Sequence, residues 1–77
     1  MVADAGEDRS PRFMKLEDVV SELGVSPTIV YGLCRSGELP ALQIGPKRVW
    51  RIERSKFEEY IEAQYAVTRE RVERGEL

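Results

Sequence analysis

The segment Gly24-Val25-Ser26-Pro27-Thr28-Ile29-Val30-Tyr31-Gly32-Leu33-Cys34-Arg35-Ser36-Gly37 carries the start and the stop of a short helix in its own letters. Serine is a strong N-cap because its hydroxyl accepts from an unpaired N–H of the first turn. Proline at the first helical position loses nothing, since its missing N–H would have had no partner there. The helix therefore begins at Pro27. Val30, Leu33 and Cys34 fall at i, i+3, i+4 and form its apolar stripe. Ser36-Gly37 ends it, as glycine accepts the left-handed backbone that closes a helix.

Upstream, Leu16, Val19, Val20 and Leu23 repeat the same face spacing, and Gly24 follows directly. Glu17 and Asp18 lie in the first turn, where the positive end of the helix dipole favours acids. A first helix over Leu16 to Leu23 is thus joined to the second by Gly24-Val25-Ser26, the tight connection of a helix-turn-helix. Downstream, Pro40 bars further helix. Ala41-Leu42-Gln43-Ile44 and Val49-Trp50-Arg51-Ile52 read as two strands around the turn Gly45-Pro46-Lys47-Arg48. Two strands alone are unstable in water, so this hairpin must lean on the helices as a wing. Leu42 with Ile44, and Trp50 with Ile52, are expected to face inward. After Ser55 the pattern is helical to about Arg74, with Phe57, Tyr60, Ile61, Gln64, Tyr65, Thr68 and Val72 on one face. Phe57, Tyr60 and Ile61 are expected to complete the core, and the stretch beyond Tyr65 is too polar to be deeply buried.

The expected fold is mainly α with a small β-hairpin, a winged helix-turn-helix of two short helices, a two-stranded wing and a longer C-terminal helix. Residues 1–12 read as a flexible polar tail, 13–64 as the domain, and 65–77 as a helical extension and candidate association surface. A chain of 77 residues is one domain with a modest core, helped by self-association or a ligand. No apolar run is long enough to span a membrane and the N-terminus lacks a secretion-signal core, which makes the cytoplasm the expected compartment.

One cysteine, Cys34, and no histidine exclude whole classes of chemistry. A structural zinc site needs about four Cys or His ligands, and Ser–His or Cys–His catalysis has no base. We therefore expect no metal, no cofactor and no enzymatic activity. The formal charge is −2, yet from Ser26 to Lys56 six basic residues (Arg35, Lys47, Arg48, Arg51, Arg54, Lys56) face only Glu38 and Glu53, a local excess of +4. Such polarity orients a protein toward phosphate.

The string Val25-Ser26-Pro27-Thr28-Ile29-Val30-Tyr31, then Arg35-Ser36-Gly37-Glu38-Leu39-Pro40-Ala41, Gln43-Ile44-Gly45, Trp50-Arg51-Ile52, Phe57 and Tyr60-Ile61 resembles the excisionase-like, MerR-type winged helix-turn-helix domain. The likeness covers Leu16 through Ile61. It implies DNA binding as a dimer or cooperative array, in a stand-alone form akin to recombination directionality factors or compact regulators. The sequence departs from the family at Gly32, on the exposed helix face where a basic residue is common, and at Met14-Lys15, which offers no Thr or Ser cap.

In a helix-turn-helix the second helix enters the major groove with its N-terminal residues nearest the bases. Thr28, Tyr31 and Arg35 share one face opposite the apolar stripe. Thr28 suits a phosphate or a thymine methyl, Arg35 a phosphate or a guanine edge, and the Tyr31 hydroxyl a phosphate. Ser26 at the helix start, and Lys47, Arg48 and Arg51 on the wing, complete the expected DNA-binding set. Lysine on a hairpin also discourages edge-to-edge aggregation, but here the charges sit in the turn. Trp50 and Cys34 read as apolar filler. The partners expected are double-stranded DNA, an integrase and further copies of the chain, with no membrane. The function expected is that of an excisionase; a transcriptional regulator of the same fold, and a protein-interaction module without DNA binding, are the alternatives.

Overall fold

A computed structural model describes residues 11–76 of the chain. The elements run β1 (Phe13–Lys15), α1 (Leu16–Leu23), α2 (Pro27–Ser36), β2 (Leu42–Ile44), β3 (Val49–Glu53) and α3 (Arg54–Glu73). Among the described residues, three helices and a three-stranded antiparallel sheet make up the winged helix-turn-helix expected from the sequence. The tail expected over residues 1–12 lies outside the described residues except for Pro11 and Arg12. No helix among the described residues is long and apolar enough to cross a membrane.

The helix boundaries follow from their caps. Ser26 Oγ accepts from the N–H of Ile29 at 3.3 Å, and α2 starts at Pro27. Gly24 and Gly37 close α1 and α2 with φ of 68° and 85°, a region costly to any residue with a Cβ. The uncapped start of α1 is closed differently. The Asp18 carboxylate accepts from the N–H of Lys15 at 2.8 Å, so an acid in the first turn reaches back to tie down the residue that precedes the helix.

The sheet order is β1-β3-β2, with β3 in the middle. Met14 pairs with Ile52, and both are buried. β1 has no local signature as a strand. Its three residues carry no turn signal, and its partner lies about 40 positions away. Arg12 extends the pairing: its carbonyl accepts from the N–H of Arg54 at 2.8 Å, and its guanidinium meets Glu53 Oε2 at 2.8 Å.

Across the hairpin, Leu42 pairs with Arg51, Gln43 with Trp50 and Ile44 with Val49. Residues directly opposite share a face, and neighbours along a strand alternate. Gln43 therefore shares the face of Trp50, and Leu42 and Ile44 share the opposite face with Arg51 and Val49, while all three residues of the short edge strand β2 are exposed. This corrects the expectation that Leu42 and Ile44 point inward; they are 49% and 51% exposed. In this register Leu42 and Ile44 cannot share a face with Trp50 and Ile52.

Met14, Val19, Val30, Cys34, Leu39, Ile52 and Phe57 are buried, and Leu33, Trp50, Tyr60 and Ile61 pack against them. Each helix and each of β1 and β3 supplies a member, and Leu39 fills the bend between α2 and the wing, where its N–H donates to Leu33 C=O at 3.1 Å. Past Gln64, α3 leaves the core, and Tyr65, Val67 and Val72 stand exposed.

Two outcomes are expected of this core. Met14→Ala should destabilise the domain by about 2–5 kcal/mol, the usual cost of truncating a buried long side chain, measured by urea unfolding; a loss below about 1 kcal/mol would show that β1 is not part of the folded unit. Burial raises the Cys34 thiol above its ordinary pKa of 9.0, so the native protein should resist alkylation at neutral pH and react once unfolded. Because the folded thiol holds its proton more tightly than the unfolded one, its contribution to stability is complete below about pH 9 and is lost as pH rises further.

Candidate nucleic-acid interface

The exposed side of α2 is built from Thr28, Ile29, Gly32, Arg35 and Ser36, with Tyr31 on the flank nearest the wing; all are exposed. Advancing 100° per residue puts Val30 and Cys34 on the opposite side, where they are held in the core. Burial of that stripe fixes which edge faces solvent. Ser26 lies at the N-terminal end, its hydroxyl already engaged as the helix cap. Ile29 is 52% exposed. It was not singled out from the sequence, although its place two residues after the proline puts it in the first turn, nearest any base.

Tyr31 joins α2 to the wing. Its ring meets Trp50 edge-on, with centroids 6.3 Å apart and planes at 89°. The Arg35 guanidinium lies 5.5 Å from the centre of the same ring. A T-shaped aromatic pair contributes about 0.5–1.5 kcal/mol beyond its buried area, and an exposed cation–π contact about 0.5–1 kcal/mol. Tyr31 is therefore both a surface residue and a spacer that sets where Arg35 stands. Trp50 is half-buried; it packs as the sequence suggested, and its edge also meets this surface residue.

Between the start of α2 and β3 lies an open groove of about 540 Å³, lined by Val20, Pro27, Tyr31, Val49 and Trp50 and by the charged side chains of Lys15, Glu17 and Arg51. Arg51 is half-buried, and its Nη1 donates to the carbonyl of Trp50 at 2.7 Å. That bond pins the side chain along the strand and leaves its remaining donors for the groove. Lys15 was missed from the sequence because its position depends on β1, which pairs it with Arg51.

Lys47 and Arg48 are exposed at the hairpin tip. Val49, next to them, lines the same groove as Pro27 and Tyr31, so the tip leaves the body beside the start of α2. Arg48 has φ of 52°, the left-handed region that an arginine enters only at a cost. Its N–H closes the turn on the Gly45 carbonyl at 3.0 Å.

The electrostatics favour an anionic partner. Among the described residues, the ion pairs involve Arg12, Lys56 and Arg74, and none engages Arg35, Lys47, Arg48 or Arg51. The two acids of the basic segment are turned to other tasks. Glu53 holds Arg12, and Glu38 lies 3.3 Å from the Ser36 hydroxyl on the side of Tyr60, whose hydroxyl is pushed above its ordinary pKa by burial and then by Glu38.

Comparison with family models gives a match to the helix-turn-helix domain over residues 13–65. The chain belongs to that DNA-binding family. The match spans β1 as well as the helical core of the helix-turn-helix, the wing and the inner half of α3. Comparison with curated proteins and with solved structures returned no match.

Within this helix-turn-helix domain, backbone strain and charge at the wing tip can be separated. Arg48→Gly should raise stability by up to about 1 kcal/mol by relieving the left-handed backbone, read from the midpoint of thermal unfolding. A lowered midpoint would mean that the Arg48 side chain itself supports the hairpin.

Proposed function

We propose that this helix-turn-helix chain binds double-stranded DNA with α2 in a major groove and the wing tip on the adjacent backbone. The observation that carries the reading is that the cations of α2 and of the wing enter no ion pair among the described residues. Arg35 on α2, Arg51 along the groove and Lys47 and Arg48 at the tip have no carboxylate partner among the described residues; Glu53 is held by Arg12, and Glu17 is the one carboxylate lining the groove beside Arg51. In this reading Thr28 and Ile29 meet base edges and thymine methyls. Arg35 takes a phosphate or a guanine from the position Tyr31 gives it, and Ser26 presents the helix N-terminus to a phosphate. The chain acts by binding and not by catalysis, since it has no histidine and its acids are spread over helix surfaces.

The finer reading is an accessory architectural factor that assists an integrase as an excisionase does, assembled on DNA as a dimer or cooperative array. Its support is the resemblance carried by residues 16–61. A compact transcriptional regulator would use the same groove-binding face. A recombination assay with the cognate integrase separates the two, because only the first changes the direction of recombination. The exposed apolar residues of α3, Tyr65 and Val72 among them, favour a protein contact in addition to DNA, which either role would use.

DNA binding itself is tested by affinity across a salt series. Each neutralised phosphate contributes a slope of about −0.9 in log K against log[salt], so four cations predict about −4. Arg35→Ala and Lys47→Ala should each weaken binding, reduce that slope by about 1 if the contact is to phosphate, and leave the far-UV circular dichroism unchanged. No binding at low salt would leave a protein-interaction module as the surviving reading.

A further inference from the structure

We infer that Gly32 is the point at which α2 comes closest to DNA, with a base edge seated against bare helix backbone. This deepens the DNA-binding reading and rests on it. Gly24, Gly37, Gly45 and Gly75 all have positive φ, so the backbone at each explains the glycine. Gly32 does not. It lies in the interior of α2, has no positive φ, and a Cβ added there would meet no heavy atom within 4 Å. Nothing inside the protein asks for glycine, and helix propensity argues against it.

Its surroundings supply the missing reason. Four residues away on either side are Thr28 and Ser36, and three away are Ile29 and Arg35, every one exposed. At 100° per residue Gly32 falls in the middle of this group. It is the bare centre of the surface that would face the bases. An α-helix with its side chains is about 10–12 Å across, close to the roughly 12 Å width of the major groove. A side chain at the centre of the inserted face holds the helix axis away from the groove floor, and its absence lets the axis sink. Thr28 and Ile29 then reach base edges with short, branched side chains that would fall short from a shallower seat. Glycine serves the same end wherever a backbone must approach a ligand closely.

The test uses the full chain and a duplex that the wild-type protein selects from a random-sequence library, with affinity read by fluorescence anisotropy at fixed moderate salt. Gly32→Ala should move stability and binding in opposite directions. Its melting temperature should rise by roughly 4–8 °C, as expected for about 1 kcal/mol in a domain of this size. Its affinity for the selected duplex should fall by about tenfold or more. Gly32→Ala binding that duplex as tightly as wild type, or more tightly, would overturn the inference while leaving DNA binding intact. If the wild-type chain enriches no duplex and shows no salt-dependent binding, the DNA-binding reading fails and this inference falls with it.

Discussion

The alternation of side chains along β3 governs how the wing sits against the helices. Ile52 is locked in the core against Met14 of β1, and a strand repeats its facing every second residue. Trp50 must therefore face the helices, and Val49 and Arg51 must face away from the core. Slipping the strand by one residue would exchange these roles and expose Ile52, which is why register is strongly specified wherever one face is buried. Pairing on both sides of β3 carries the choice outward. Gln43 follows Trp50, and Leu42 and Ile44 follow Arg51 and Val49.

From that constraint comes the link between the wing and α2. Trp50, presented on the helix side, meets the edge of Tyr31, and Tyr31 in turn carries Arg35 over its ring. Core packing is thus passed through two aromatic rings to a surface cation. The same strand lays Arg51 along the groove with its guanidinium tied to the Trp50 carbonyl. A hairpin that would otherwise swing on its loops is fixed relative to α2, which is what a binding surface spread over two elements requires. The local concentration of positive charge matters more to an anionic partner than the total of −2, because field strength near a surface is set by the nearest charges within about 10 Å.

Much of this was legible before any coordinates. The limits of α1 and α2 were written in local chemistry, by Ser26-Pro27 at one start and by Gly24 and Gly37 at two ends, and local rules are what a sequence states most clearly. The outward placement of Thr28 and Arg35, and of Lys47 and Arg48 at the hairpin tip, followed from period and turn alone. The exposure of Leu42 and Ile44 did not. Apolar alternation reveals that a strand has two faces, but only the pairing register tells which residues of two strands share one. β1 was hidden for a related reason, since Phe13–Lys15 is stabilised by a partner about 40 positions away and by Arg12 gripping Glu53. The Trp50–Tyr31–Arg35 contact depends on both of these and has no local signature. Gly32 was visible as an oddity in the sequence, and only the empty space around it shows that no internal packing explains it.

The most direct measurement is a titration of the isotopically labelled protein with a duplex it binds, following every backbone amide by NMR. Amides of Ser26 and of Thr28 to Arg35, together with those of Lys47 and Arg48 at the tip and Arg51 in the groove, should shift together at one stoichiometry, while those from Arg69 to Glu73 stay in place. Shifts confined to the outer half of α3, with α2 and the hairpin tip unmoved, would contradict the assignment of the α2–wing surface as the DNA-binding face.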